Sequence, residues 1–171
     1  MPELVVPGPR WAADYRSALT EAAECGEAVP WDPPFNCSDD ELLASIARAA
    51  SGIWGMAATA PSQWYRWWVD GDRYLGRISL RFPSFRENAA HYASHGDIGY
   101  DVRPSERGHG TATVMLQAML EFTRVQGYAD ALITCDEDNI ASRRVIEKAG
   151  GTYLDTFTDG DDTVLRFLIA L

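Results

Sequence analysis

DVRPSERGHGTATVML, residues 101–116, is the stretch on which the fold turns. A β-rich run, DIGYDV (97–102), ends just before Pro104, and GTATVMLQAMLEFTRVQ (110–126) has helical spacing up to a stop at Gly127. Between them lies the short turn Arg107-Gly108-His109-Gly110. A strand that enters a helix through such a turn presents the first four helix N–H groups unpaired. The helix dipole adds positive potential there, and glycines let a bulky anion approach the backbone. The natural ligand is a phosphate or pyrophosphate, with Arg103, Arg107 and His109 around it. A tight turn without a ligand would use the same glycines. The G-x-x-x-x-G-K-[ST] loop is absent, and so is G-x-G-x-x-G, because Thr111-Ala112-Thr113 follows Gly110.

Working outward, Trp11, Tyr15, Ala18, Leu19 and Ala22 recur at helical spacing, which predicts a helix over 10–24. Prolines make 25–37 a loop. Ser38 with Glu41 three residues on is a capping box that opens a helix over 39–50. Residues 51–62 read as irregular. QWYRWWVDGDRYLGRISLRF (63–82) is a hairpin around Asp70-Gly71-Asp72, and 83–96 reads as a polar loop. After the 110–126 helix come strand 131–135, helix 139–149, strand 152–157, a DGDD turn and strand 163–171. The sum is one mixed α/β domain of α+β type, a twisted central sheet flanked by helices, with strands 97–102 and 131–135 parallel across a β-α-β crossover. Met115, Met119, Phe122 and Val125 read as the sheet-facing stripe of their helix.

The chain is 171 residues long, the length of one domain, and carries a net charge of −10. That charge argues against nucleic acid or an anionic membrane as partner. No apolar run spans a bilayer, and the N-terminus has no secretory pattern. Three cysteines without a C-x-x-C pair point to a reducing, cytoplasmic setting, and His91, His95 and His109 lack metal-ligand spacing. No metal is expected. Trp64, Tyr65, Trp67 and Trp68 read as strand core or as the wall of an acceptor pocket, and Cys135 as a buried, inert thiol.

RGHGTA (107–112) resembles the Q/R-x-x-G-x-G/A pyrophosphate signature of the GNAT superfamily of acyl-CoA-dependent N-acetyltransferases. DEDNIASRRVIEKAGG (136–151) resembles that superfamily's second block, an Asn opening a helix that ends in E-K-x-G. The two stand in the right order, one β-α-β unit apart. GDIGYDVRPSERGHGTA, DEDNIAS and IEKAGG together also resemble bacterial members described as predicted acetyltransferases.

The resemblance implies acetyl-CoA as acyl donor and a division of labour. Strands 97–102 and 131–135 would splay to admit the pantetheine arm. Backbone groups of Tyr100, Asp101 and Val102 would bond that arm, one N–H polarising the thioester carbonyl. The N–H groups of Gly108, His109, Gly110, Thr111 and Ala112, beside Arg107, would hold the pyrophosphate. Asn139 would contact the arm, and Ser142 with Arg143 or Arg144 would lie near its adenine or thiol end. Where many members have a Tyr that protonates the thiolate, this chain has Ile146, so Ser142, Tyr153 or a water would substitute. The catalytic candidates are Asp97 as base, acting directly or through water with His95 just before it, and Tyr100 as a wall of the site. Residues 1–62 would form the acceptor side and 63–171 the sheet and acyl-CoA site. The expected acceptor is a small-molecule amine, and the resemblance admits a homodimer without fixing the assembly. Two other readings share the motifs: a non-catalytic acyl-CoA sensor, and a transferase that takes aminoacyl groups from tRNA.

Overall fold

Ser38 marks the clearest local signal. In the computed structural model its Oγ accepts from the Glu41 amide at 3.3 Å, and the Glu41 carboxylate accepts from the Ser38 amide at 2.8 Å. This reciprocal cap opens helix α2 (Asp39–Ala50), on the predicted bounds. Helix α1 (Ala12–Glu24) follows a 3-10 turn at Pro9–Trp11. The structure describes residues 1–27, 33–53, 62–159 and 162–171. Parts of the predicted loop 25–37, the irregular 51–62 and the DGDD turn therefore lie outside the described residues.

The strands are β1 (Glu3–Val5), β2 (Gln63–Asp70), β3 (Arg73–Arg81), β4 (Ile98–Val102), β5 (Asp130–Asp136), β6 (Thr152–Asp159) and β7 (Asp162–Ala170). They form one mixed sheet in the order β1-β2-β3-β4-β5-β7-β6. β4 and β5 are parallel, as the crossover requires, and β7 is antiparallel to both β5 and β6. The remaining helices are α3 (Ala89–His95), α4 (Thr111–Val125) and α5 (Ile140–Lys148). Packing divides the chain into two compact units, the sequence passing between them inside β3, inside β4 and after the first residue of α4: Met1–Arg77 with Asp101–Thr111, and Ile78–Tyr100 with Ala112–Leu171.

The first unit has an aromatic core. Trp67 is buried 4.6 Å from Tyr15 and 5.2 Å from Tyr74, centroid to centroid. Tyr65 and Trp68 are also buried, so three of the four aromatics of β2 are core, and Trp64 is half-buried. Such ring pairs add about 0.5–1.5 kcal/mol each beyond their buried area. β1, which the sequence reading missed, pairs antiparallel with β2 at Glu3↔Val69 and Val5↔Trp67. Three residues are too few to display an alternation.

The second unit packs α4 through Met115, Leu116, Met119, Leu120 and Thr123. Val125, expected in that stripe, is 76% exposed. The buried pairs at 115/116 and 119/120 rotate the stripe away from it, at about 100° per residue. A second correction concerns 83–96, which is helical: a 3-10 turn at Pro83–Glu87 and then α3. Pro83 pre-sets the first turn, and the Asn88 side chain accepts from the His91 amide.

Candidate active site

The ladder between β4 and β5 holds at the register pair Ile98↔Ile133, and the two strands pair no further. Beyond that point the parallel strands part. A cavity of about 220 Å³ opens there, within the second unit, walled by Ile98, Gly99 and Tyr100 on one side and Thr134, Cys135 and Asp136 on the other. Arg81, Ser94, His95, Asn139, Ser142 and Val164 complete its lining.

Tyr100 and Ser142 meet in this cavity, with their hydroxyl oxygens 2.7 Å apart. Burial pushes the Tyr100 phenol up to about 12, partly offset by the Ser142 contact. It remains an O–H donor at neutral pH. Asn139 caps α5 through Oδ1, which accepts from the Ser142 amide at 3.0 Å, and this leaves its NH₂ for other partners. Ile146, in the register of the family's Tyr, is fully buried in the core and lines no part of the cavity. Burial also raises the Cys135 thiol, which keeps it protonated and a poor nucleophile.

Asp97 does not stand with these residues. It is 1% exposed and takes no part in the cavity wall. Its two oxygens accept from Arg86 at 2.8 Å each, from the Tyr92 hydroxyl at 3.2 Å and from the Leu132 amide at 2.7 Å. A carboxylate held by four donors and 1% exposed is not presented to an amine in the cavity. The expectation of Asp97 as base is therefore corrected: it is a structural anion. Arg86 also pairs with Asp130 at 3.0 Å and lies over the rings of Tyr92 and Tyr128.

The turn is as expected in its backbone and not in its arginines. Gly108 and Gly110 have φ of +76° and +85°, a region side chains rarely adopt, and open space lies where a Cβ would sit. Gly108, His109 and Gly110 are exposed, and Thr111 and Ala112, which begin α4, are half-buried. Among the described residues, the amides of Gly108, His109 and Gly110 make no well-formed bond to another backbone carbonyl. The two arginines expected to surround the anion are occupied elsewhere. Arg107 forks onto both Glu27 oxygens and donates to the Val102 carbonyl at 2.8 Å. Arg103, 7% exposed, is held by Glu21, Asp14 and Ser17. Asp101 faces Arg77 at 3.5 Å and Arg107 at 3.4 Å. Arg143 pairs with Glu147 at 2.9 Å, whereas Arg144 is exposed and outside the cavity wall.

The sequence reading missed Arg81 and Thr134 as cavity residues. A signal was present for the first. Arg77, Ser79 and Arg81 alternate along β3, and all three are buried, a polar row where a strand's inner face is ordinarily apolar. Burial lowers the Arg81 guanidinium to about 10, so it stays charged at neutral pH. Arg81 donates to the carbonyls of His95 and Gly96 at 3.0 and 3.1 Å, which ties the end of α3 to β3.

Among solved structures, this chain is similar to the microcin C7 self-immunity acetyltransferase MccE in complex with acetyl-CoA and AMP. The identity is 12%, the TM-score 0.74, and the match covers 99% of this chain and 92% of that one. It is similar to RimL, the ribosomal L7/L12 α-N-protein acetyltransferase, crystallised with coenzyme A in a disulfide to one of that protein's cysteines, at 17% identity, TM-score 0.70 and coverage of 99% and 94%. The aminoglycoside acetyltransferase AAC(6')-Ib in complex with coenzyme A shares 15% identity, with TM-score 0.63 and coverage of 99% and 95%. These likenesses establish the fold. No curated protein sequence matches the chain. The profile of the acetyltransferase (GNAT) domain matches residues 9–152, most of its length, and the chain accordingly belongs to the GNAT family of acetyl-CoA-dependent acetyltransferases.

Proposed function

We propose that the protein moves the acetyl group of acetyl-CoA to the primary amine of a small molecule by direct attack. The observation that carries this reading is the 220 Å³ polar cavity at the parting of β4 and β5, with a protonated phenol and a serine hydroxyl in its wall. The net charge of −10 favours a cationic amine through the long-range field. MccE, crystallised with AMP, and AAC(6')-Ib are neighbours with small acceptors or ligands, whereas RimL modifies a protein.

Acetyl-CoA supplies a thioester carbonyl carbon as electrophile. The exposed amides of Gly108, His109 and Gly110, with Thr111 and Ala112 at the start of α4, hold its diphosphate, and the glycines leave room for it. Backbone groups of Tyr100, Asp101 and Val102 bond the arm, with the NH₂ of Asn139 beside it. As the amine nitrogen forms its bond to carbon, the carbon–sulfur bond breaks. The Tyr100–Ser142 hydroxyl pair gives a proton to the departing sulfur, the work that a tyrosine in the register of Ile146 would do.

One observation favours a second reading. With Ile146 buried in that register, the chain could bind acyl-CoA without turning it over. Thiol release from acetyl-CoA with spermidine, lysine, kanamycin and a Ser-Ala peptide separates the two. Turnover is expected with at least one of the small amines. Release with the peptide alone overturns the small-molecule acceptor, and tight acetyl-CoA binding with no release establishes the sensor. Gly110→Asp sets a carboxylate against the diphosphate, a like-charge contact worth several kcal/mol, and should weaken coenzyme A binding by about a hundredfold or more. Its melting temperature should fall only by the few degrees that a side chain at φ +85° costs, with the fold retained.

A further inference from the structure

With Asp97 sealed in an ion pair, the cavity needs another group to receive the amine's proton. We infer that His95 is that group: its imidazole Nε2 is the base for acetyl transfer, a role that rests on the function proposed above. His95 is the last residue of α3, is exposed and lines the cavity together with Tyr100 and Ser142.

The hydrogen bonds of the ring fix its tautomer. Nδ1 lies 3.2 Å from the His91 carbonyl and 2.7 Å from the Ser94 hydroxyl. A carbonyl oxygen only accepts, so Nδ1 carries the hydrogen. The Ser94 hydroxyl directs its own proton to the same carbonyl, at 3.3 Å, and so receives from Nδ1. With the hydrogen on Nδ1, the lone pair of the neutral ring is on Nε2. An imidazole held this way through its other nitrogen is an oriented base.

The ring also stays neutral. Partial desolvation lowers its pKa from 6.5, and the charge of Arg81 lowers it further. His91 of α3 also lowers it by its charge, while the bond to the His91 carbonyl raises it; Tyr100 of β4 and Cys135 and Asp136 of β5 share the cavity, and the 3-10 turn Pro83–Glu87, with Arg86 and Glu87, and β6, with Tyr153 and Asp155, pack on the same helix. Such a base does not strip an ammonium ion in solution. It takes the N–H proton as the carbon–nitrogen bond forms, when attack makes that nitrogen acidic. Nε2 gains the proton, the amine nitrogen keeps its electron pair in the new C–N bond, and the sulfur leaves with the C–S pair.

Histidine ring NMR on the intact chain tests this with acetyl-CoA as the probe. His95 should appear as the Nδ1–H tautomer, titrate below 6.5, and shift when acetyl-CoA is added. Shifts at Gly110 and Asn139 with an unmoved His95 ring, or an Nε2–H tautomer, overturn the proposal alone. No shift anywhere in the protein overturns the acyl-CoA reading and the proposal with it. In kinetics with the fastest amine, His95→Ala should lower kcat/KM about a hundredfold, within the ordinary span of general-base catalysis. It should also erase the acidic limb of the pH profile, with acetyl-CoA affinity and melting temperature unchanged, while His91→Gln keeps the limb. A limb retained in His95→Ala overturns the assignment.

Discussion

Asp97 and His95 are two residues apart, at the junction of α3 and β4, and their surroundings are opposite. Around Asp97 four donor bonds, from a guanidinium, a phenol and a backbone amide, converge on a carboxylate that is 1% exposed. Around His95 the Nδ1 is held, Nε2 has no hydrogen bond among the described residues, and the residue lines the cavity. The arginines of the first unit repeat the first pattern, with Arg103 and Arg107 both spent on carboxylates. The difference separates polar groups that fix the fold from polar groups that can act. Saturation of hydrogen-bonding capacity, more than residue type, is the criterion.

The largest expected effect breaks the saturated cluster. Asp97→Ala leaves Arg86 partly buried without its main counter-charge and the Leu132 amide without an acceptor. Breaking a buried pair on one side costs about 3–5 kcal/mol. Chemical denaturation should show a loss of that order. The fraction that stays folded should keep the acidic limb of its pH–rate profile, because that limb belongs to another residue. A stable Asp97→Ala with a flattened limb would restore the carboxylate as base.

Next in size is a change on the open side of the comparison. Tyr100→Phe removes the phenolic proton and leaves the ring in place. Its kcat should fall about a hundredfold, at the lower end of general acid catalysis, with KM for acetyl-CoA little changed. Ser142→Ala added to it should cost less than the two separate losses combined, because the hydroxyls work as one pair. Full additivity would mean that the two act independently.

How far the sequence could foresee this contrast depends on how local each feature is. The cap at Ser38, the glycine turn at 108–110 and the parallel β4–β5 pair follow from near neighbours in sequence or from chain topology, and all were legible. The motif blocks also led to Tyr100, Asn139 and Ser142, which the structure gathers at one cavity. What was not legible depended on partners far along the chain. Nothing near Asp97 announces Arg86 and the Leu132 amide as its partners, 11 and 35 residues away. Nothing near Arg107 announces Glu27, 80 residues away. A lone strand-start carboxylate and a lone turn arginine look available in sequence, and only the fold spends them. The polar face of 83–96 misled in another way: without an apolar stripe, a short capped helix reads as a loop.

The smallest effect sharpens the comparison in the first unit, at Glu21. The side-chain bond from Arg103 is the main cause that holds its carboxyl at about 2, well below its ordinary 4.5. A depressed acid stabilises the fold when ionised, so its contribution is complete above about 4.5 and is lost as pH falls toward about 2. Glu21→Gln removes that contribution at every pH. The melting gap between wild type and variant should therefore be widest and flat from neutral pH down to about 5, then close steadily toward pH 2 as the wild-type carboxyl protonates. The gap should be modest, because Asp14 and Ser17 still hold Arg103 and the Glu21 side chain is partly in solvent, which screens the pair. A gap that ignores pH would mean that Glu21 acts through packing alone, and the saturation of Arg103 would then be geometric without being electrostatic.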